Sequence, residues 1–473
     1  MAYTGRRIIY SDVDEITDEN VFSVLANALS VHTLNASEIE YLYNYYKGQQ
    51  PILLREKEFR PEICSRIVEN RANEIVTFKV GFLMGDPVQF INRGAEGLTK
   101  DITVLNNYMV AEDKAPKDKN LEEWAHICGT AYRMVLPNSS PDAESPFRIY
   151  TLDPRNTFVI YNSGVGHKPL AGVYYVSRKD GTVIFSVYTR NMYYEIWNEG
   201  GLLIPDQVTP PLNGFKRREA HIYGDVPIVE YPLNEARLGA FEIVLPLLDA
   251  INLTTSDRVD GVEQFVQAIL AIKGVDVETG FMSELKQKGG LQLPPDGDAY
   301  YIAQELNQTQ TQTLVDYMAR EVLLICGMPN RNGSSSTSDT GSAVIMRDGW
   351  SDAEARAKDT EMMFILSEKK FLALALRMAR AKRGLNLRVS DVGIKFTRHN
   401  YENIVSKAQV LNMLLNNDKV HPRLAWEHSG IAIDPDYEYG LSMNYYEEQV
   451  NKEAEELEKA AADATADDAK QNV

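Results

Sequence analysis

One stretch constrains this chain more than any other. Gly327-Met328-Pro329-Asn330-Arg331-Asn332-Gly333-Ser334-Ser335-Ser336-Thr337-Ser338-Asp339-Thr340-Gly341-Ser342 is polar and rich in glycine and serine, with apolar-periodic segments on both sides. Before it, Leu314 to Ile325 has the spacing of an amphipathic helix. After it, a periodic run extends from about Ala343 to Arg383, and at about 1.5 Å per residue a helix of that length reaches roughly 60 Å. A long helix presenting a flexible loop at one end is poorly suited to a small-molecule pocket. It suits a protein that touches something large in passing without gripping any one feature of it.

Composition narrows the class. The chain has 473 residues, 44% hydrophobic and 25% charged, enough for several domains with a substantial core. No run approaches the roughly 18 apolar residues of a membrane span, and Met1 to Arg7 has no apolar core behind it, so no secretory signal is expected. Cys64, Cys128 and Cys326 stand in apolar surroundings without a CxxC pair, which predicts buried, reduced thiols. The net charge is −18, of which the tail from Glu447 to Val473, with nine acids and three lysines, carries −6. Static DNA binders show a basic face, because phosphate neutralisation supplies most of their affinity. The overall charge argues against that class.

The periodicities predict an α+β chain. Asn35-Ala36-Ser37-Glu38 reads as a capping box opening a helix that Gly48 ends. A second helix is expected from Pro61 to about Val80, a turn at Gly85-Asp86-Pro87, an extended segment at Val88 to Ile91, and a helix from Leu121 to Met134. Between Phe147 and Pro232 the period changes to short β-branched and aromatic runs, at 158–161, 171–176, 182–188 and 193–197, separated by Asn/Asp-Gly turns: an antiparallel meander. Helix resumes at Asn234 with a kink expected at Pro246. A small mixed insert follows, with strands at 265–272 and 300–302, a helix at 278–288 and turns at Gly289-Gly290 and Pro294-Pro295-Asp296-Gly297. Helix returns near Gln308, a bend is expected at Gly349, and Val392 to Phe396 reads as a strand. Further helices are expected at 403–416 and 422–429, before an Ala/Glu/Asp-rich tail that reads as frayed helix or disorder.

Catalytic motifs are missing from the sequence. The loop lacks the Gly-Lys-Ser/Thr of a phosphate-binding loop. His421 and His428 do not have the i, i+4 spacing of a helical zinc pair. Ser334-Ser335-Ser336 has no GxSxG elbow, and no acidic cluster has a two-metal look. No cofactor, metal or enzymatic activity is expected.

Three groups of residues carry a resemblance. Tyr45-Tyr46-Lys47-Gly48-Gln49-Gln50-Pro51-Ile52-Leu53 is followed by Asn70 to Val76 and then Val80 to Val88; Leu247 to Asn252 runs through Ser256, Asp260 and Phe265; and Ile394 to Arg398 precedes Asp434-Pro435-Asp436. In this order they resemble the portal proteins of tailed bacteriophages, specifically the long-tailed type of Gram-positive hosts, from about Tyr41 to Glu438. The resemblance implies a ring, usually of twelve subunits, at one capsid vertex of a virion assembled in the host cytoplasm. It implies a wing at 1–233, stem helices at 234–261 and 308–327, a clip between them at 262–307, a tunnel loop at 328–342, a long helix completing the wing at 343–400, and a crown with acidic tail at 401–473. The implied partners are terminase, a head-completion adaptor, major capsid and scaffolding proteins, and double-stranded DNA passing without sequence preference.

On that reading Asn330, Arg331, Asn332, Ser334, Ser335, Ser336, Thr337, Ser338 and Asp339 face the DNA channel, and Lys286, Lys288, Pro294, Pro295 and Asp296 of the clip meet partners. By composition alone the loop also fits a plain connector with no DNA role. Two other classes stand beside the portal: another capsid or head-assembly structural protein, and a packaging-associated nuclease.

Overall fold

A computed structural model describes residues 5–58, 60–93, 97–198, 214–221, 223–266, 269–273, 298–302, 308–330, 349–397, 404–432 and 435–471. The chain opens with β1 (Ile9–Ser11) and α1 (Val21–Tyr46). The helix does not begin at Asn35. Apolar positions Val21, Val24, Leu25, Ala28 and Leu29 continue its buried stripe upstream. Asn35, buried in mid-helix, uses its side chain to accept from the Arg7 amide at 3.0 Å and donate to the Arg7 carbonyl at 2.9 Å. A residue that resembles a cap is here a clamp on the incoming strand.

The helix expected from Pro61 is α2 (Arg71–Leu83); Asn70 caps it by accepting from the Asn73 amide. Next come β2 (Gln89–Asn92), α3 (Thr99–Ala111) and α4 (Lys114–Cys128). The expected helix to Met134 instead ends at Gly129, whose φ of +82° only glycine adopts freely, and the chain turns into β3 (Thr130–Pro137).

The meander is present as β5 (Thr157–Asn162), β6 (Pro169–Ser177), β7 (Val183–Thr189), β8 (Met192–Asn198) and β9 (Gly214–Ala220), all antiparallel, with β1 added in parallel at the β5 edge. Its neighbours in sequence, β4 (Phe147–Leu152) and β10 (Ile228–Pro232), leave it and flank β3 in a second sheet. One face of the large sheet packs on α1 through Phe158, Val173, Phe185 and Ile196. The other meets the small sheet at Tyr132, Met134, Val159 and Ile228. The sheets approach so closely that a Cβ on Gly172 would lie 2.6 Å from the Ile228 Cβ.

From Asn234 the chain is a turn held by Asn234 on Leu238, not a helix. Helix begins at α5 (Leu245–Val266), where Pro246 occupies the first turn and causes no kink, since its missing N–H is not needed there. The strands β11 (Ile269–Lys273) and β12 (Asp298–Ile302) pair antiparallel; the helix expected at 278–288 lies outside the described residues. After α6 (Gln308–Cys326) comes α7 (Trp350–Arg383), which starts after Gly349 and does not bend there. β13 (Val392–Lys395) pairs back onto β2. α8 (Ile404–Leu415), α9 (Pro422–Ser429) and α10 (Pro435–Gln471) complete the order, the acidic tail being helical.

Charge is buried where α7 meets the small sheet. Arg133 of β3 pairs with Asp118 of α4 and, at 2.9 Å, with Glu368 of α7. Lys114 closes the square at 2.5 Å to Asp118 and 2.9 Å to Glu368, and the Tyr231 hydroxyl donates to Glu368 at 2.7 Å. Two cations and two carboxylates cancel. Each is tolerable in the interior only while the others remain, so the long helix is fixed in register against the sheet.

Candidate functional site

The stem-like pair is α5 and α6. Val315, Met318, Val322 and Cys326 of α6 share a core with Leu245, Leu248 and Ile251 of α5. Along a second edge of α5 runs a polar row at i, i+4, i+8. Asn252 accepts from the Glu69 amide at 2.8 Å, Ser256 from the Ile67 amide at 3.0 Å, and Asp260 from the Ser65 amide at 2.6 Å. Four helical residues rise about 6 Å and two extended residues about 6.6 Å, so the two spacings match. The strap before α2 cannot become helix because its alternate N–H groups are committed to α5.

Charges lock the strap's other limb: Arg55 lies 3.1 Å from Asp260, and Lys57 also pairs with it. Burial opposes charge on Asp260, but its bonds from Lys57 and the Ser65 amide outweigh burial and hold its carboxyl below the usual aspartate value.

At the far end of α6 the loop is rooted. Gly327 has φ +62°, its amide donates to the Leu324 carbonyl at 3.1 Å, and the Met328 amide reaches the Leu323 carbonyl at 2.8 Å. That pair of bonds is a Schellman motif, sealed by the buried Met328 side chain. Arg356 of α7 lies across it, donating to the Ile325 carbonyl at 3.1 Å. A Cβ on Gly327 would fall 2.1 Å from Arg356 Cδ.

The loop returns at Gly349, where a Cβ would sit 3.8 Å from the Cα of Pro329. The segment 330–348 therefore leaves and re-enters at one point. Trp350, first residue of α7, holds the exit against Phe78 and Phe82 of α2, at ring distances of 6.0 and 6.2 Å. Beside the root a cavity of about 20 Å³ is lined by residues including Lys79, His126, Gly327, Arg356 and Thr360. Burial, reinforced by the Arg356 charge, holds the Lys79 ammonium below the usual lysine value.

Of the loop residues singled out by sequence, Asn330 is described and sits half-buried at the point of departure. Arg331, Asn332, Ser334, Ser335, Ser336, Thr337, Ser338 and Asp339 lie outside the described residues, as do Lys286, Lys288, Pro294, Pro295 and Asp296. Sequence reading missed the anchors, Gly327, Arg356 and Trp350. The Gly-x-Pro after an apolar helix was the available signal for the first; the other two act across space and left none. Burial pushes the Cys128 thiol up to about 12 and Cys326 up to about 11, so neither is a nucleophile at neutral pH. Among the described residues no cluster of three His, Cys, Asp or Glu could hold a metal, and no helix is long and apolar enough to cross a membrane.

The frame presents a loop and a coupled helix pair; it is a structural subunit of α+β build. The profile of the phage portal protein family, SPP1 Gp6-like, matches residues 26–467, and the chain belongs to that family. It is accordingly a portal protein, a non-enzymatic structural component of the virion at the capsid vertex. The two other classes, a different head-assembly protein and a nuclease, give way to this one. No curated protein matches the chain. Similar solved structures include a chain from the neck of an empty GTA particle computed with C6 symmetry, at 12% identity and TM-score 0.45 over 76% of this chain and 90% of that one. Another is a chain from the virion of a native gene transfer agent particle, at 11% identity and TM-score 0.45, over 84% of this chain and 94% of that one.

Proposed function

We propose that the chain closes into a ring of twelve copies whose channel passes DNA during packaging and ejection. The observation that carries the ring is the outward side of α6. Tyr317 and Leu324, 59 and 61% exposed, lie on the side opposite the residues that pack on α5, and Leu314, 50% exposed, flanks them at the edge of the packed face. A subunit that leaves such a side uncovered, with a different surface facing it on the next copy, makes a heterologous interface, and a heterologous interface that closes is a ring. Native mass spectrometry of the wild type is expected to give one species of about twelve subunits. The double variant Tyr317→Asp, Leu324→Asp is expected to run as a monomer with unchanged circular dichroism. A wild type that stays monomeric or dimeric at every salt concentration refutes the ring.

In this reading residues 1–233 and 343–400 form the wing, 234–261 and 308–327 the stem, 262–307 the clip, 328–342 the tunnel loop and 401–473 the crown. The clip, through Lys286, Lys288 and the turn at Pro294, Pro295 and Asp296, docks terminase during packaging and the head-completion adaptor afterwards. Charge reversal at Lys286 and Lys288 should spare the ring and weaken both partners. The wing meets major capsid and scaffolding proteins during assembly in the host cytoplasm. The tunnel loop, with Arg331 its one cation, braces the duplex without tight binding. Shortening Ser334–Ser338 should leave folding intact and reduce the DNA held per particle; full, stably retained genomes in the deletion would leave the loop a passive connector.

A further inference from the structure

The C-terminal half of α7 carries the opposite charge from the rest of the chain. From Lys369 to Arg388 there are seven Lys or Arg and no Asp or Glu, in a chain of net charge −18. All seven are exposed. Arg388 is neutralised by Asp391 at 3.1 Å. The other six, Lys369, Lys370, Arg377, Arg380, Lys382 and Arg383, make no ion pair among the described residues.

Four of these six are held in place by main-chain carbonyls. Arg377 donates to Tyr223 O at 2.6 Å, Arg380 to Leu387 O at 3.1 Å, Arg383 to Ala143 O at 2.6 Å, and Lys382 to Asn138 O. A carbonyl orients a cation without cancelling its charge. At about 100° per residue, Arg383, Lys369, Arg380, Arg377 and Lys370 fall within an arc of roughly 140°. Of the carboxylates near these cations, Glu368 turns inward to Arg133 and Lys114, and the exposed Asp142 and Glu144 beside Ala143 and Asp225 beside Gly224 pair with none of the six.

The apolar surface on this face is marginal, not central. Exposed Met362 and Leu366 precede the cations on the same side of α7, and from Lys369 to Thr397 no large apolar side chain is exposed among the described residues, whereas protein interfaces keep an apolar centre inside a polar rim. A cationic face without such a centre fits a polyanion. We infer that this face binds the phosphate backbone of double-stranded DNA, independent of sequence. The site begins roughly 30 Å along α7 from Trp350, and is therefore distinct from the loop. The choice of duplex DNA as the polyanion rests on the portal reading. The interaction is steep in salt because each phosphate the patch neutralises releases a counterion, and the patch field reaches only about 10 Å at 0.1 M.

The test uses the full-length protein and a fluorescent random-sequence duplex of about 30 base pairs, titrated from about 50 to 200 mM salt. Lys369 and Lys370 make no hydrogen bond within the described residues, so Lys369→Glu with Lys370→Glu should fold as the wild type does. The double variant is expected to bind about tenfold or more weakly at the lowest salt, with the log–log salt slope reduced by about 2. Lys179→Glu, exposed in the β6–β7 turn, should bind as the wild type does. The inference is overturned if the wild type does not bind, if the double variant keeps affinity and slope, or if Lys179→Glu weakens binding equally. It is also overturned if the double variant loses self-assembly while retaining the duplex, which would make the face a subunit contact. Because ring size is read separately by native mass spectrometry, failure here leaves the ring proposal standing, and the reverse also holds.

Discussion

The Ser65 amide donates to the Asp260 carboxylate at 2.6 Å, the last rung of a row in which three helical side chains hold three alternate strap amides. The same carboxylate receives Lys57 and Arg55. Replacing it leaves Lys57 and a part-buried N–H without their partner, and leaves Arg55 only Asp257 and the Ser65 carbonyl. Asp260→Ala should cost about 3 kcal/mol of unfolding free energy, and Asp260→Asn less. Because the folded carboxyl sits below its unfolded value, its contribution is complete above about pH 4 and is lost as pH falls through the lower folded value. Urea midpoints at pH 7 and pH 3 for wild type and variant should converge at the lower pH; a gap of equal size at both would show that the charge is not what holds the strap.

The two glycines at the loop root should respond differently to alanine. Both have positive φ, +62° at Gly327 and +81° at Gly349. A methyl group on Gly349 meets only ordinary contacts, while on Gly327 it displaces Arg356. Gly349→Ala should cost about 1 kcal/mol and Gly327→Ala about 2 kcal/mol or more. Gly327→Ala alone should speed proteolysis between 330 and 348. Equal effects from the two would remove the Arg356 brace from the account.

His32 should give the fold a mild acid sensitivity. Burial holds its imidazole down to about 4, although its Nε2 bonds to the Arg155 carbonyl at 3.0 Å. The folded ring stays neutral while the unfolded one takes a proton below about pH 6.5. Stability is therefore full above pH 6.5 and declines as pH falls toward 4, by at most about 1.4 kcal/mol per pH unit. His32→Phe, stacked in the same place against Phe158, should lose about 1 kcal/mol at pH 7 and show a flatter pH profile between 6.5 and 5. Parallel profiles would assign the dependence to other groups.

What could be read from the residues followed the reach of each signal. The meander was legible because β-branched runs and Gly turns are local, and β7 and β8 begin and end within a residue or two of where their sequences place them. Helix starts were misread where a side chain served a distant partner. Asn35 resembles a cap but clamps Arg7, and the strap at Ser65, Ile67 and Glu69 has helical periodicity but gives its amides to α5. The loop was visible by composition. Its frame was not, because Arg356 over Gly327 and Trp350 against Phe78 join residues far apart in the chain.

The meeting of Pro329 and Gly349 at one point has a further consequence. An appendage whose two ends share a single attachment exerts no lever on the body that carries it. Residues can be added to or removed from 330–348 without shifting α6 against α7. On the channel reading proposed above, the length of this segment sets the aperture while the frame around it stays the same.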